Sequence, residues 1–531
     1  MIRELHAFPG GLKIPTHKEL TNARTSLITP LPDLIILPLQ QHIGTAAEPV
    51  VKVSDKVLRG QVVARANGYV SVPVHASVSG KIIDIGDYAV PDSFGLKAPC
   101  IVIDPDGDNT WFDVKPTADY SSVDPQKLQE VIREAGIVGL GGAGFPAHVK
   151  LREGTETAVD TLIINGVECE PYISCDDRLI REKPDYIVAG ARMIRHAVQA
   201  KHCVIALEED MPEAHAALAK LVDDDIELIQ LPMRYPQGGE RQLIKTLTGK
   251  EVPSGGLPIH IGIVMHNVGT AAAAYRAVTR GEPLISRYVT VTGDLPEPRN
   301  LQVLLGTPVK HCADQCGYRE KEGESIVLGG PMMGMKVTSM HMPVIKTTNC
   351  VLVTSTINRN PEQPCIRCGK CVDVCPALLM PQELFRHARS RNYTRLREYH
   401  LFDCIECGCC SYVCPSNIRL VHYYRKAKRE IMQEEKSARG AADARRRFLA
   451  RNARLASETE EQQQEKKSVS GKEMDEKRAY IEAAVARTRA KLEQMKNTDD
   501  SQKKNDCCAV NPIYPSPLPH SRRERGNPCS L

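Results

Sequence analysis

The chain lacks any uninterrupted apolar run of the ~18 residues that a membrane-spanning helix needs. The nearest stretch, Leu257 to Tyr275, is interrupted by His260, His266 and Asn267, so membrane association is expected to come through a partner. It also lacks an excess of either charge. Lys and Arg total 69 against 65 Asp and Glu, a formal net charge of +4 over 531 residues, and this leaves no basic footprint for nucleic acid. The first residues, Met1-Ile2-Arg3-Glu4-Leu5-His6, show no apolar stretch before a small-residue cleavage site, so no signal peptide is expected. The expected location is the cytoplasm.

What the chain has in quantity is cysteine. Nineteen are present, and nine of them fall between Cys365 and Cys414, a clustering that reads as metal ligation in a reducing compartment rather than a disulfide framework. The length calls for three or four domains plus a tail. Residues 31–90 are rich in Val and Ile with Gly and Pro punctuation, the signature of short strands and tight turns. Gly60 to Ala64, followed by Pro73 to Gly80, resembles the flattened barrel of lipoyl and biotinyl carrier domains. With no carrier lysine at the hairpin tip, it reads as a structural module.

From Asp124-Pro125 the pattern changes to a helix with the apolar face Leu128, Val131 and Ile132, which Gly136 can end. Apolar strands at Thr161–Ile164 and Cys203–Leu207, separated by a helical stretch from Tyr186 to Ala200, argue for an α/β domain. Tyr288 to Asp294 alternates at the strand period and leads, through Pro296 and Pro298, to Leu301–Leu305, a small β-rich domain. The resulting division is 1–115, 116–280, 281–350, 351–424 and a charged tail, 425–531. Within the tail Ile481, Val485, Thr488, Leu492 and Met495 share one helical face, open to reading as a solvated extension or as a docking helix. Residues 507–531 are Pro-, Ser- and Arg-rich and expected to be disordered, and Cys507, Cys508 and Cys529 have no ligand spacing.

Cys365, Cys368, Cys371 and Cys375, followed by Pro376, have the C-x2-C-x2-C-x3-C-P spacing of bacterial two-cluster ferredoxins, and Cys404, Cys407, Cys410, Cys414 and Pro415 repeat it. In such repeats the fourth cysteine ligates the other cluster. The expected sets are Cys365, Cys368, Cys371 and Cys414 for one [4Fe–4S] cluster, and Cys404, Cys407, Cys410 and Cys375 for the second. Zinc is the competing occupant, but paired C-x2-C thiolates do not account for the third cysteine or the proline. Cys409 falls outside the repeat and reads as a spectator. The 28 residues between Cys375 and Cys404 exceed what a minimal ferredoxin needs, and Gln382 to Tyr399 is expected to form a helical insert.

Gly139-Leu140-Gly141-Gly142-Ala143-Gly144-Phe145-Pro146 follows a helix rather than a strand, so it lacks the context of a dinucleotide fingerprint. Glycine amides before a helix that begins near Pro146, with Lys150 one turn in, still make an anion site. Asn165-Gly166-Val167-Glu168-Cys169-Glu170-Pro171 emerges from the apolar strand at its C-terminal end, where α/β sheets bind ligands. Capping and turn roles for these residues are the alternative. Gln237-Gly238-Gly239-Glu240 and His266-Asn267-Val268-Gly269-Thr270 are similarly polar and Gly-rich.

Together these segments resemble the flavin-binding subunit of respiratory complex I, with its glycine loop ending in Gly-Phe-Pro and its Asn-x-x-Glu-x-Glu-Pro motif at Asn165, Glu168, Glu170 and Pro171. The resemblance implies FMN on Gly139, Gly141, Gly142, Lys150, Asn165, Glu168, Gly239, Glu240 and Asn267. It implies NADH against Phe145 and Glu170. Leu140 stands where that family usually has arginine, and His266-Asn267-Val268-Gly269 departs from its Asn-Asn-Val-Glu.

The whole order of parts, with Phe8-Pro9-Gly10-Gly11 and Gly329-Gly330-Pro331-Met332-Met333-Gly334, is similar to the C subunit of the Rnf/Rsx ion-translocating electron-transport complex. That resemblance implies an α/β multidomain fold: barrel-sandwich module, flavin-subunit-like domain, β-grasp (SLBB) domain, two-[4Fe–4S] ferredoxin domain and tail. It implies a translocase-type oxidoreductase subunit that passes electrons between NADH and two clusters by way of FMN. The protein would lie peripherally on the cytoplasmic side of the bacterial inner membrane, held by the other subunits, with NADH and ferredoxin as redox partners. A non-enzymatic electron wire and a cobalamin reductase of the diol-utilisation type are the other readings.

Overall fold

The computed structural model describes residues 4–92, 95–117, 119–156, 158–337, 339–355 and 361–499. Cys507, Cys508, Cys529 and the expected disorder of 507–531 lie outside the described residues. Contacts divide the chain into two units, 1–433 and 434–531.

The N-terminal module is a barrel sandwich. One sheet has the order Ile35–Pro38, Lys97–Pro105, Gly80–Ala89 and Lys56–Val57; the other has Glu48–Pro49, Val62–Arg65 and Val74–His75. Alternating residues of both sheets, among them Leu37, Val63, Val74, Ile82 and Ile101, meet in one core. A bulge between Ile82 and Asp84 shifts the register of the long hairpin.

The helix Pro125–Glu134 forms as its caps dictate: the Asp124 carboxylate accepts from the Gln126 amide, Pro125 occupies the first turn, and Leu128 and Ile132 are buried. Gly136 follows at φ +69° with Pro73 O so close that a Cβ would meet it at 2.7 Å. Four parallel strands come next, in the order Glu227–Leu231, His202–Glu208, Thr161–Gly166 and Ile263–Asn267. Leu162, Ile163 and Ile164 are all fully buried, as the continuous apolar run of a strand covered on both faces requires. Register pairs Asn165 with Asn267, so two of the expected ligand-binding residues stand side by side at the sheet's C-terminal edge.

The β-grasp domain is a six-stranded sheet, Leu27–Ile28, Arg299–Leu304, Ser286–Gly293, Cys350–Thr354, Ser325–Leu328 and Met335–Lys336. Two of its strands lie beyond the 281–350 expected from sequence. Leu27–Ile28 pairs in parallel with Leu301 and Gln302 from more than 270 positions away, and a two-residue strand carries no periodicity to read. Cys350–Thr354 straddles the expected 350/351 boundary and lies between Ser286–Gly293 and Ser325–Leu328.

In the cysteine domain the expected insert is two helices, Pro381–Arg389 and Tyr393–Glu398. Its core extends past residue 424, through Ala427 and Ile431 of the helix Leu420–Asp499, both buried with Tyr424 and Leu384. From 434 the described residues continue as helix; Ile481, Val485, Leu492 and Met495 are exposed there. No helix among the described residues is long and apolar enough to cross a membrane.

Candidate functional site

The glycine loop is closed at its base by the Gly139 amide, which donates to Phe145 O at 2.8 Å. Its tip is open: Gly141, Gly142 and Ala143 are exposed. Gly142 has φ +108° and nothing within 4 Å of where a Cβ would lie, and Gly141 would meet only Asn267. The helix Ala147–Glu156 then carries Lys150, whose Nζ donates to Glu240 Oε1 at 2.6 Å and to Met265 O at 3.3 Å. Glu240 is the first residue of the helix Glu240–Thr248, capped by Gly239. Asn165 Nδ2 donates to Gly238 O at 2.9 Å.

Asn267 caps the 13-residue helix Val268–Arg280, its Oδ1 accepting from the Gly269 amide at 2.8 Å while Nδ2 donates to Asp176 at 2.6 Å. Glycine amides, a helix N-terminus and a lysine therefore converge at the ends of two neighbouring strands, an arrangement suited to a phosphate. His266 is buried, its Nε2 has no partner, and burial followed by the Lys150 charge pushes its pKa down to about 3. The open tip with its exposed glycine amides, and Lys150 beside it, fit a bound phosphorylated cofactor such as FMN.

The two glutamates of the Asn-x-x-Glu-x-Glu-Pro motif are placed differently. Glu168 accepts from the amides of Asp176 and Asp177, at 2.9 and 3.2 Å, and so caps the helix Cys175–Glu182. Burial, and then the neighbouring Asp176, raise its pKa. Glu170 Oε1 accepts from the amides of Met332 and Met333, at 2.7 and 3.0 Å, in the Gly-rich loop of the β-grasp domain. Phe145 stays at the base of the glycine loop, half-buried, whereas Glu170 is bonded to the β-grasp loop.

Burial pushes the Glu170 carboxyl up to about 7 from its usual 4.5. Between those values the folded chain holds a proton that the unfolded chain has released, so stability falls as pH rises through that window and the loss is complete above it, up to about 3 kcal/mol. Glu170→Gln keeps an acceptor for both amides and is expected to remove this contribution. The difference in melting temperature between variant and parent should therefore grow in the variant's favour from pH 4.5 to pH 8; a difference independent of pH would contradict it.

The cysteines form two groups. Cys365, Cys368, Cys371 and Cys414 line one small cavity; Cys375, Cys404, Cys407 and Cys410 line another, with Cys409 beside them. Four thiols converging on each cavity suit a cubane. The second cavity is wrapped by the rest of the chain. Tyr235 Oη donates to Cys407 O at 2.5 Å, and Lys428 Nζ donates to Cys404 O at 2.6 Å and to Glu406 at 2.8 Å. Tyr235, Cys169, Met332 and Cys409 pack around Cys407. The first cavity is at the surface: Cys365 and Cys368 are exposed, with Ile366 at 67%.

Sequence reasoning missed Tyr235, Lys428 and Asp176, none of which belongs to a motif. It also missed Lys18, which is buried and holds Glu208 at 3.1 Å and Asp210 at 3.0 Å across the sheet edge. Lys18→Met leaves Glu208 buried without its counter-charge. A loss of about 3–5 kcal/mol is expected, read as a lowered melting temperature, and an unchanged one would contradict the pairing.

Four families match the chain in register with these modules: the RnfC barrel sandwich hybrid domain over residues 6–108, the Nuo51 FMN-binding domain over 132–276, the SLBB domain over 288–336 and the 4Fe-4S dicluster domain over 364–418. The C subunit of the ion-translocating oxidoreductase complex of Serratia proteamaculans is 44% identical over 490 residues, 91% of this chain and 69% of that protein. The protein of the same name from Pseudomonas aeruginosa is 46% identical, covering 86% of this chain and 60% of its own length. That from Yersinia pestis bv. Antiqua is 44% identical, covering 90% and 78%.

Proposed function

Since the chain belongs to the family of C subunits of the ion-translocating oxidoreductase complex, we propose that it serves that complex as the NADH-side electron-transfer component, holding one FMN and two [4Fe–4S] clusters. Bound FMN would supply the chemistry of accepting one hydride, two electrons and a proton, from NADH and releasing its electrons one at a time, as the clusters require; the chain supplies position and charge.

Lys150, Gly141, Gly142 and the amides at the start of Val268–Arg280 would take the flavin phosphate, with Asn165, Gly239, Glu240 and Asn267 around the remainder. Glu168 supports the site by fixing the adjacent helix, and Phe145, at the base of the loop, would meet the nicotinamide nucleotide. Cys375, Cys404, Cys407 and Cys410 would hold the buried cluster, and Cys365, Cys368, Cys371 and Cys414 the exposed one. Glu170 belongs with the buried cluster, between the β-grasp loop and Tyr235.

The observation that carries this reading is the segment joining the two sites. Asn165 lies in the glycine-loop site and Cys169 packs against the cluster formed by Tyr235, Cys407 and Cys409. Four residues of extended chain span at most about 14 Å, a short covalent path from the glycine-loop site to the packing around the buried thiols, which are taken as the entry side. The exposed set, at the surface, faces the next carrier. The exit partner is then another member of the complex on the cytoplasmic side of the membrane, where this chain is held peripherally, and ion translocation is the work of those partners.

Anaerobic purification with iron and flavin analysis tests the proposal. One FMN and two [4Fe–4S] clusters per chain are expected; intact clusters with no flavin retained, and none taken up on reconstitution, would leave an electron wire and sink the NADH-side role.

A further inference from the structure

Residues of the barrel, the parallel-sheet domain and the β-grasp sheet enclose a cavity of about 510 Å³, within the range of small-molecule sites. Lys150, Glu240 and Asn165 do not line it; Leu140 and Gly269, from the back of the glycine-loop site, form one wall. Its distinguishing feature is positive charge. Arg59, Lys183, Arg276, Arg280 and Arg287 all line it.

Two of these are already engaged. Arg276 pairs with Glu282 at 2.7 Å, and Arg287 donates to the carbonyls of Leu140, Tyr288 and Lys346. The other three form no ion pair among the described residues. Arg59 lies over Trp111 at 4.6 Å and donates Nη1 to Asn109 at 2.9 Å, while its buried Nε has no acceptor. Arg280 and Lys183 lie over the Tyr186 ring, at 4.9 and 5.4 Å. Aromatic faces orient these cations without neutralising them, and a buried N–H without an acceptor is costly until an anion arrives. Asp176, a carboxylate in the lining, is taken by Asn267. The remaining wall is apolar, with Leu31, Leu179, Ala272 and Leu284.

We propose that this cavity is a second ligand site, for an organic phosphate of nucleotide class. Arg59, Lys183 and Arg280 receive its phosphates, and Leu140, Leu179 and Ala272 receive its ring system. Both parts are required, because three unpaired cations select polyphosphate and the apolar wall selects an organic body over a free ion. The site does not depend on the flavin reading, since none of its cations belongs to the glycine-loop site.

The test uses ADP, which carries neither flavin nor nicotinamide, titrated into the anaerobically purified full chain by calorimetry. The emission of Trp111, the only tryptophan, serves as a local reporter. Saturable binding that shifts Trp111 emission is expected, weakened tenfold or more in Arg280→Gln and in Lys183→Gln, with pyrophosphate at least tenfold weaker than ADP. Both variants remove exposed or half-exposed ends, and unchanged cluster absorbance checks that they fold. No saturation below 1 mM, equal affinity in both variants, pyrophosphate as tight as ADP, or weakening by Lys150→Gln instead would each overturn the proposal.

Discussion

Cys414→Ser is expected to cost the chain about half its iron, and the half that is lost is the cluster of Cys365, Cys368 and Cys371. The expectation follows from the crossed pairing: Cys414 belongs by sequence to the second motif but lines the cavity of the first, while Cys375 makes the reverse crossing. Serine offers no thiolate, and a cubane held by three thiolates in an exposed loop has water as its fourth neighbour. Cys375→Ser should instead remove the buried cluster. Iron per chain together with the paramagnetic resonance of the remaining reduced cluster distinguishes the two, because the survivor of Cys414→Ser sits among Lys428, Arg425 and Tyr235 and the survivor of Cys375→Ser is exposed to solvent. Loss of the Cys404, Cys407, Cys410 cluster in Cys414→Ser would contradict the crossing.

The second large effect is at Lys150. Its ammonium lies 2.6 Å from Glu240, both about one-third exposed, and Lys150→Glu replaces an attraction by a repulsion of order 4 kcal/mol at an intermediate effective dielectric while withdrawing the cation from the proposed phosphate site. Flavin retention should fall below detection and NADH oxidation by about 100-fold or more, equivalent to about 2.7 kcal/mol. Iron content should not change, because the lysine's contacts are all in the parallel-sheet domain. Lys150→Arg should retain most flavin. Equal flavin content in Lys150→Glu would place the phosphate elsewhere.

The cysteine pairing and the Lys150 site differ in how far sequence alone reaches them. Ligand spacing is a local property, so Cys365 to Cys375 and Cys404 to Cys414 are legible without a fold, as are the strand Thr161–Gly166 and the helix after Asp124-Pro125. The approach of Asn165 to Asn267 is legible only in part, because sequence shows two polar strand ends and only the register makes them neighbours. The position of Glu170 is not legible: its partners Met332 and Met333 lie more than 160 positions away, and the motif that contains it says nothing about which way the side chain turns. Lys18 and its partners Glu208 and Asp210 are hidden for the same reason.

Close backbone packing accounts for two short glycine motifs. A Cβ on Gly10 would come within 2.7 Å of the Cys375 backbone, and one on Gly408 within 2.7 Å of Met332 O. The N-terminal Gly10-Gly11 turn and the Gly329–Gly334 loop are thus seats for the two halves of the buried cysteine set. The glycines are where backbone approaches backbone too closely for a side chain.

Entry of electrons at the glycine loop and exit through the thiols can be followed by mixing NADH with the flavin-loaded, oxidised chain under anaerobic stopped flow and recording cluster bleaching. Bleaching is expected to follow flavin reduction and to be abolished in Lys150→Glu. Clusters that bleach at the same rate without flavin, or that stay oxidised while bound flavin is fully reduced, would contradict it.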